Sequence, residues 1–202
     1  MAYPTVSGPY GLKPVKMISG TPYAGVTRQY RIASAYATDI FYGDVVKLVT
    51  GGTVERDVAD AAMTPIGVFL GCSFTDPGTS QPTFKQYWPA STVASDARAF
   101  IVDARDVLFK VAVISSGAAT TPIVMADLAI TDIGANVQMV DNAGSTVTGN
   151  SKIAIDDTSA TTATFPLRVV DVVTDTQTSS TAFPEVLVKW NAGHMFDNTT
   201  GV

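Results

Sequence analysis

From residue 26 onward the chain is built of short apolar or alternating runs, each closed by a turn signal. In Val26–Ile32, Val26, Tyr30 and Ile32 share one side and Thr27, Gln29 and Arg31 the other, the period of a half-buried strand. Gly43-Asp44 leads into Val45–Val49, and Gly51-Gly52 separates that run from Thr53–Arg56, which predicts a hairpin. Ile66–Gly71 is apolar throughout and predicts a strand buried on both faces, its glycines marking a bulge or a close backbone approach. A polar loop over 75–83 precedes a short aromatic strand, Phe84–Trp88, that stops at Pro89. Arg98–Val102 and Val107–Ile114 follow, the second apolar on both faces except at Lys110. Val137–Val140, Ile153–Ile155, Phe165–Val173 and Val186–Trp190 predict the last strands, with loops over 141–144 and 156–164. In the final strand Val186, Val188 and Trp190 point one way, and Glu185, Leu187 and Lys189 the other.

Helical signals are confined to Thr121-Pro122, opening a short helix through Asp127, and a turn over Ala59–Met63. Roughly ten short strands with so little helix predict an all-β fold: a jelly-roll-like β-sandwich with at most short helices. Residues 1–25 break this pattern. They hold Pro4, Pro9, Pro14 and Pro22 with four glycines, which disfavours regular structure, yet they also carry Tyr3, Val6, Tyr10, Leu12, Val15, Met17, Ile18 and Tyr23. Both facts suit an extended N-terminal arm over 1–25 that docks, either on a partner or back on its own chain. Residues 26–202 are expected to form a single domain.

Composition sharpens this picture. A chain of 202 residues buries roughly 70% of its unfolded surface and needs no disulfide staple. Charged residues make up 15%, against about 25% in an ordinary domain, and hydrophobic residues 46%. A surface so poor in charge is expected where much of it is covered in an assembly, or where Thr and Ser cover it in place of charges. The net charge of −5, with no Lys/Arg cluster, argues against nucleic acid as a partner. No apolar run approaches the roughly 18 residues of a membrane span, and the first residues lack the basic and apolar regions of a signal peptide. A soluble protein made in a cytoplasm is the expectation.

Candidate chemistry is sparse. His194 is the only histidine and Cys72 the only cysteine, so a zinc site lacks ligands and a nucleophile–histidine arrangement has one base to draw on. Asp103 with Asp106, Asp156 with Asp157, and Asp171 with Asp175 do not match a calcium loop and read as turn residues. Gly144–Gly149 has the glycine spacing of a phosphate-binding loop, but its lysine is displaced to Lys152 and a strand follows where a helix is required. No catalytic residue, cofactor or metal is expected. The aromatics Tyr42, Tyr87, Trp88, Trp190 and Phe196 remain, as core residues or interface anchors.

Six segments occur in an order that carries a resemblance: Gly11–Val15, Phe41–Val46, Ile66–Gly71, Tyr87–Ala90, Phe165–Val169 and Val186–Asn191. Together they resemble small virion proteins of tailed phages, including the capsid cement, or head decoration, proteins of short-tailed phages and cyanophages. The resemblance implies a non-enzymatic protein on the outer surface of an icosahedral capsid, made in the host cytoplasm. Its partners would be the major capsid protein and its own copies, as a homotrimer, with no nucleic acid or membrane. On that reading Tyr3, Pro4, Tyr10, Leu12 and Lys13 of the arm are expected at the capsid, and Trp88, Trp190 and His194 at a subunit interface. The alternatives are another virion component, such as a tail or fibre protein, or a carbohydrate-binding β-sandwich module with Trp88 and Tyr87 as the sugar platform.

Overall fold

The computed structural model describes residues 6–58, 63–115, 128, 130–176, 183–197 and 199. Thirteen strands lie among them. The first seven are β1 (Lys13–Met17), β2 (Arg28–Ile32), β3 (Val45–Val49), β4 (Thr53–Arg56), β5 (Pro65–Thr75), β6 (Pro82–Lys85) and β7 (Arg98–Val102). The rest are β8 (Val107–Ile114), β9 (Asn136–Val137), β10 (Met139–Val140), β11 (Ala154–Asp156), β12 (Leu167–Val173) and β13 (Glu185–Trp190). The described helical residues form only three single turns, so the all-β expectation is met. The expected turn at 59–63, apart from Met63, and the expected helix at 121–127 lie outside the described residues.

The strands form two sheets, as a sandwich requires, but each sheet curls on itself. In the first, β3 pairs with β4, β4 with β2, β2 with β7, β7 with β5, and β5 returns to β3, closing a five-stranded ring with β6 attached to β5. Two features permit this closure. The eleven-residue β5 pairs with β3 through its first half and with β6 through its second, and the β5–β7 register shifts between Phe69 and Cys72, where a bulge lets the strand bend. The β3–β4 hairpin turns through Thr50, Gly51 (φ 106°) and Gly52 (φ 75°), the glycines taking the left-handed positions between the paired Val49 and Thr53.

In the second sheet the run Asn136–Val140 pairs with β12 through β9 and with β11 through β10. The chain β12–β13–β8–β11 completes the circle. Each ring includes one parallel pairing, β2 with β4 and β8 with β11. A jelly roll lays open antiparallel sheets face to face; here the faces meet along a shared seam.

Burial follows the alternation. Ile32, Val46, Val54, Ile66, Phe69, Ala99 and Ile101 fill the first ring, and Phe109, Val111, Val113, Val137, Ile155, Val169 and Val188 fill the second. Val45, Val68 and Val102 lie in register across β3, β5 and β7, on the opposite side of the first sheet, and belong to the second cluster. That valine row joins the two sheets, and burying it removes its apolar surface from water.

Of the two dockings open to the N-terminal segment, the described residues take the one on their own chain. Described residues of 1–25 are folded onto the body. β1 pairs antiparallel with β8 from Lys13↔Lys110 to Met17↔Val107, and the register shift between Pro14 and Lys16 accommodates the proline, which has no N–H to donate. The Gly11 amide donates to the Ile153 carbonyl and the Leu12 amide to the Gly43 carbonyl, so two successive residues touch both sheets. Val6 and Tyr10 cover Ala112, Ile114 and Ala154 on the outside of the second ring. That cover explains why β8 is apolar on both faces.

Candidate functional site

The buried carboxylates Asp44, Asp57, Asp103 and Glu185 each face a cation. Asp44 is fully buried; its Oδ2 accepts the Phe41 amide at 2.8 Å and the Arg56 Nε at 3.1 Å. Arg56 also pairs with Asp141 and donates to the Asn142 carbonyl at 3.1 Å, linking β4 to the loop after β10. Burial raises the Asp44 pKa, and Arg56 and the Phe41 amide oppose that rise. A carboxylate so enclosed holds two elements together and has no open side to a substrate.

A second group covers the other ring. Tyr10 donates its hydroxyl to Glu185, and Lys110 Nζ lies 3.0 Å from Glu185 Oε1. Lys13 Nζ sits 4.2 Å from the Tyr10 ring centroid. Burial, reinforced by Glu185, pushes the Tyr10 hydroxyl pKa far up, so it stays a donor. Tyr10 and Lys13 therefore face their own chain, and Leu12 is fully buried in the core. None of the three projects as a free arm. Tyr3 and Pro4 lie outside the described residues.

Trp88, Trp190 and His194 are likewise interior, and the expectation that they meet another subunit is corrected: a side chain buried in its own core has no face to offer. Trp88 is 0% exposed and meets Phe74 edge-on at 5.3 Å. That burial also removes it as a sugar platform, while Tyr87 stacks on Phe41 at 5.6 Å. Trp190 meets Phe109 edge-on, and His194 lies between Trp190 and Phe196, 5.6 Å from each ring. His194 Nδ1 accepts the Phe196 amide at 3.3 Å, while Nε2 is buried without a well-formed hydrogen bond. Burial first, then the Arg105 charge, bring its pKa down to about 4, against the opposing pull of Asp103 and the Ile66 backbone. The ring is neutral at pH 7. Burial pushes the Cys72 thiol up to about 12, which removes the thiolate needed for reactivity.

What remains outward is the far side of the first ring. Phe84, Ser73, Arg98, Arg31 and Thr53 form one cross-strand row over β6, β5, β7, β2 and β4. Phe84 is 76% exposed. Beside it opens a cleft of about 520 Å³ lined by Tyr42, Leu70, Phe84, Lys85, Gln86 and Phe100. Among the described residues Arg31 and Arg98 make no ion pair, and one guanidinium nitrogen of Arg98 is buried without an acceptor there. The alternation in Val26–Ile32 placed Arg31 on the outer side; that Arg98 stands opposite it depends on a strand pairing that sequence does not reveal.

Among the described residues no group of three or more His, Cys, Asp or Glu side chains is placed to hold a metal ion. No helix of the described residues is long and apolar enough to cross a membrane. No protein-family model, curated protein or solved structure matches the chain.

Proposed function

We propose that this chain is a structural virion protein that binds the outer surface of an icosahedral phage capsid, with its own copies as additional partners, and stabilises the shell by bridging major capsid protein subunits. The observation that carries this reading is the division of labour among side chains. The buried ionisable groups join one element to another, whereas the outer surface presents large apolar residues, among them Phe84, Val93, Val26, Ile130 and Val147, on a chain with few charges. Such a surface suits broad protein contact, and two rings joined along one apolar seam suit a rigid clamp. The homotrimer, the capsid and the virion location come from the sequence resemblance.

The test uses particles of the virus that encodes the chain. A labelled antibody against the chain, applied to intact virions and imaged by cryo-electron microscopy, is expected to decorate the heads. Label on tails or fibres, or none on particles that contain the protein, would overturn the capsid reading.

A further inference from the structure

We infer that the outer face of the first ring binds an uncharged hexopyranose unit of a glycan, in the cleft beside Phe84. The inference goes beyond the capsid reading and does not depend on it. It starts from the sheet register. Thr83 and Lys85 stand opposite Phe74 and Cys72, whose side chains fill the first ring, so the pleat turns Phe84 to the outside. Ala99 and Ile101 belong to the same interior, which turns Phe100 outward as well. Both phenyl groups line the cleft, and β5, which lies between their strands, contributes Leu70 and Gly71. A Cβ on Gly71 would stand 3.0 Å from the Lys85 carbonyl oxygen, so the floor stays at backbone level there.

Polar groups surround that floor. Tyr42 and Gln86 line the cleft, and both are tied to the segment around Asn150. The Tyr42 amide donates to the Gly149 carbonyl at 3.0 Å, and Gln86 Nε2 donates to Asn150 Oδ1 at 2.6 Å. Among the described residues no further bond engages the Gln86 side-chain amide, so its carbonyl oxygen and second N–H remain for a ligand. The half-buried Tyr42 adds a phenol. An aliphatic side chain seated here would strip water from these groups without replacing its hydrogen bonds, which costs free energy. A pyranose presents C–H faces to the phenyl groups and hydroxyls to the amide and phenol, so it satisfies both. The charge pattern narrows the choice further. Lys85 turns its ammonium group to the other face of the sheet, 5.7 Å from the Phe74 ring centroid. Among the described residues that line the cleft, none then offers a cation to a carboxylate, sulfate or phosphate. The volume of about 520 Å³ lies within the range of small-ligand sites.

A glycan array tests this with the full chain, displaying neutral gluco-, galacto- and mannopyranosides beside sialylated, sulfated and uronic acid glycans. The wild type is expected to bind at least one neutral hexopyranoside. Titration calorimetry with that oligosaccharide free in solution is expected to give a Kd that hardly changes with salt. Phe84→Ala and Gln86→Leu are each expected to weaken binding roughly tenfold, with wild-type circular dichroism and melting because both side chains lie at the surface. Val93→Ala, at an exposed position outside the cleft, is expected to bind as the wild type does. Silence of the wild type on every neutral glycan would overturn the inference. Binding confined to charged glycans and lost in high salt would overturn the choice of an uncharged ligand. Wild-type affinity in either cleft variant would overturn the site.

Discussion

At His194 the consequences of burial are open to direct titration. Its native pKa of about 4 lies below the ordinary 6.5, so the unfolded chain takes up a proton more readily than the folded one. The stability this group confers is complete above pH 6.5 and falls as pH drops toward 4, by on the order of 3 kcal/mol if the ring stays enclosed. In His194→Phe, which keeps a ring between Trp190 and Phe196, chemical denaturation is expected to give a flatter stability profile across that window. The loss of the Phe196 amide's acceptor costs this variant about 1 kcal/mol at pH 7. Equal slopes in the two proteins would mean that the wild-type ring is open to water. His194 was legible in the sequence as the only histidine, but its role was not. Its ring neighbours Trp190 and Phe196 are near in sequence, while the Arg105 and Asp103 charges that act on it come from a distant loop.

Among the elements, those with local signals were the legible ones. The hairpin at Gly51-Gly52, the β7 strand and the β8 strand coincide with their sequence readings, because alternation and turn residues lie within a few positions of each other. β1 was missed, since its Pro14 disfavours a ladder and its partner β8 is far along the chain. β5 runs past the expected stop at Gly71 to Thr75, because that glycine lies in a bulge and does not end the strand. β6 ends at Lys85, and Trp88 makes only an isolated bridge with Ile40.

The crossing at Gly11 is the element-level feature most sensitive to change. Its φ is 81°, and a Cβ there would lie 2.7 Å from the Gly43 carbonyl oxygen and 2.7 Å from Ser151 Cβ. Gly11→Ala combines left-handed strain with overpacking, so a loss of about 2–4 kcal/mol is expected in thermal or chemical unfolding. A change below about 0.5 kcal/mol would show that the segment shifts freely. The same crossing alters what an N-terminal deletion means. Removing residues 1–20 strips β1 and exposes Ala112 and Ile114, so a loss of partner binding would report damage to the body as much as loss of contact.

For the molecule as a whole, the Val45–Val68–Val102 seam belongs to the same apolar cluster as the interior of the second ring. Neither ring can unfold without exposing it. Calorimetry is expected to show one transition with equal calorimetric and van't Hoff enthalpies. A chain ending at Asp106, which leaves the valine row bare, is expected to aggregate or remain unfolded. Two resolved transitions, or a folded 1–106 fragment, would contradict the coupling. The number and placement of strands were open to sequence reading at this scale, but ring closure was not. It depends on β5 pairing with three different strands and on Asn136–Val140 bridging two, and such long-range pairing leaves no periodic trace.

The pairing of β1 with β8 also sets an order of events in time. Lys13 is synthesised 97 positions ahead of Lys110, the residue it stands opposite. At roughly 5–20 residues per second, β1 waits about 5–20 s on the ribosome for its partner to be made. During that interval Leu12, Val15 and Met17 have no ladder to join. The first strand to be made thus joins its ladder only after every strand of the first ring has been made.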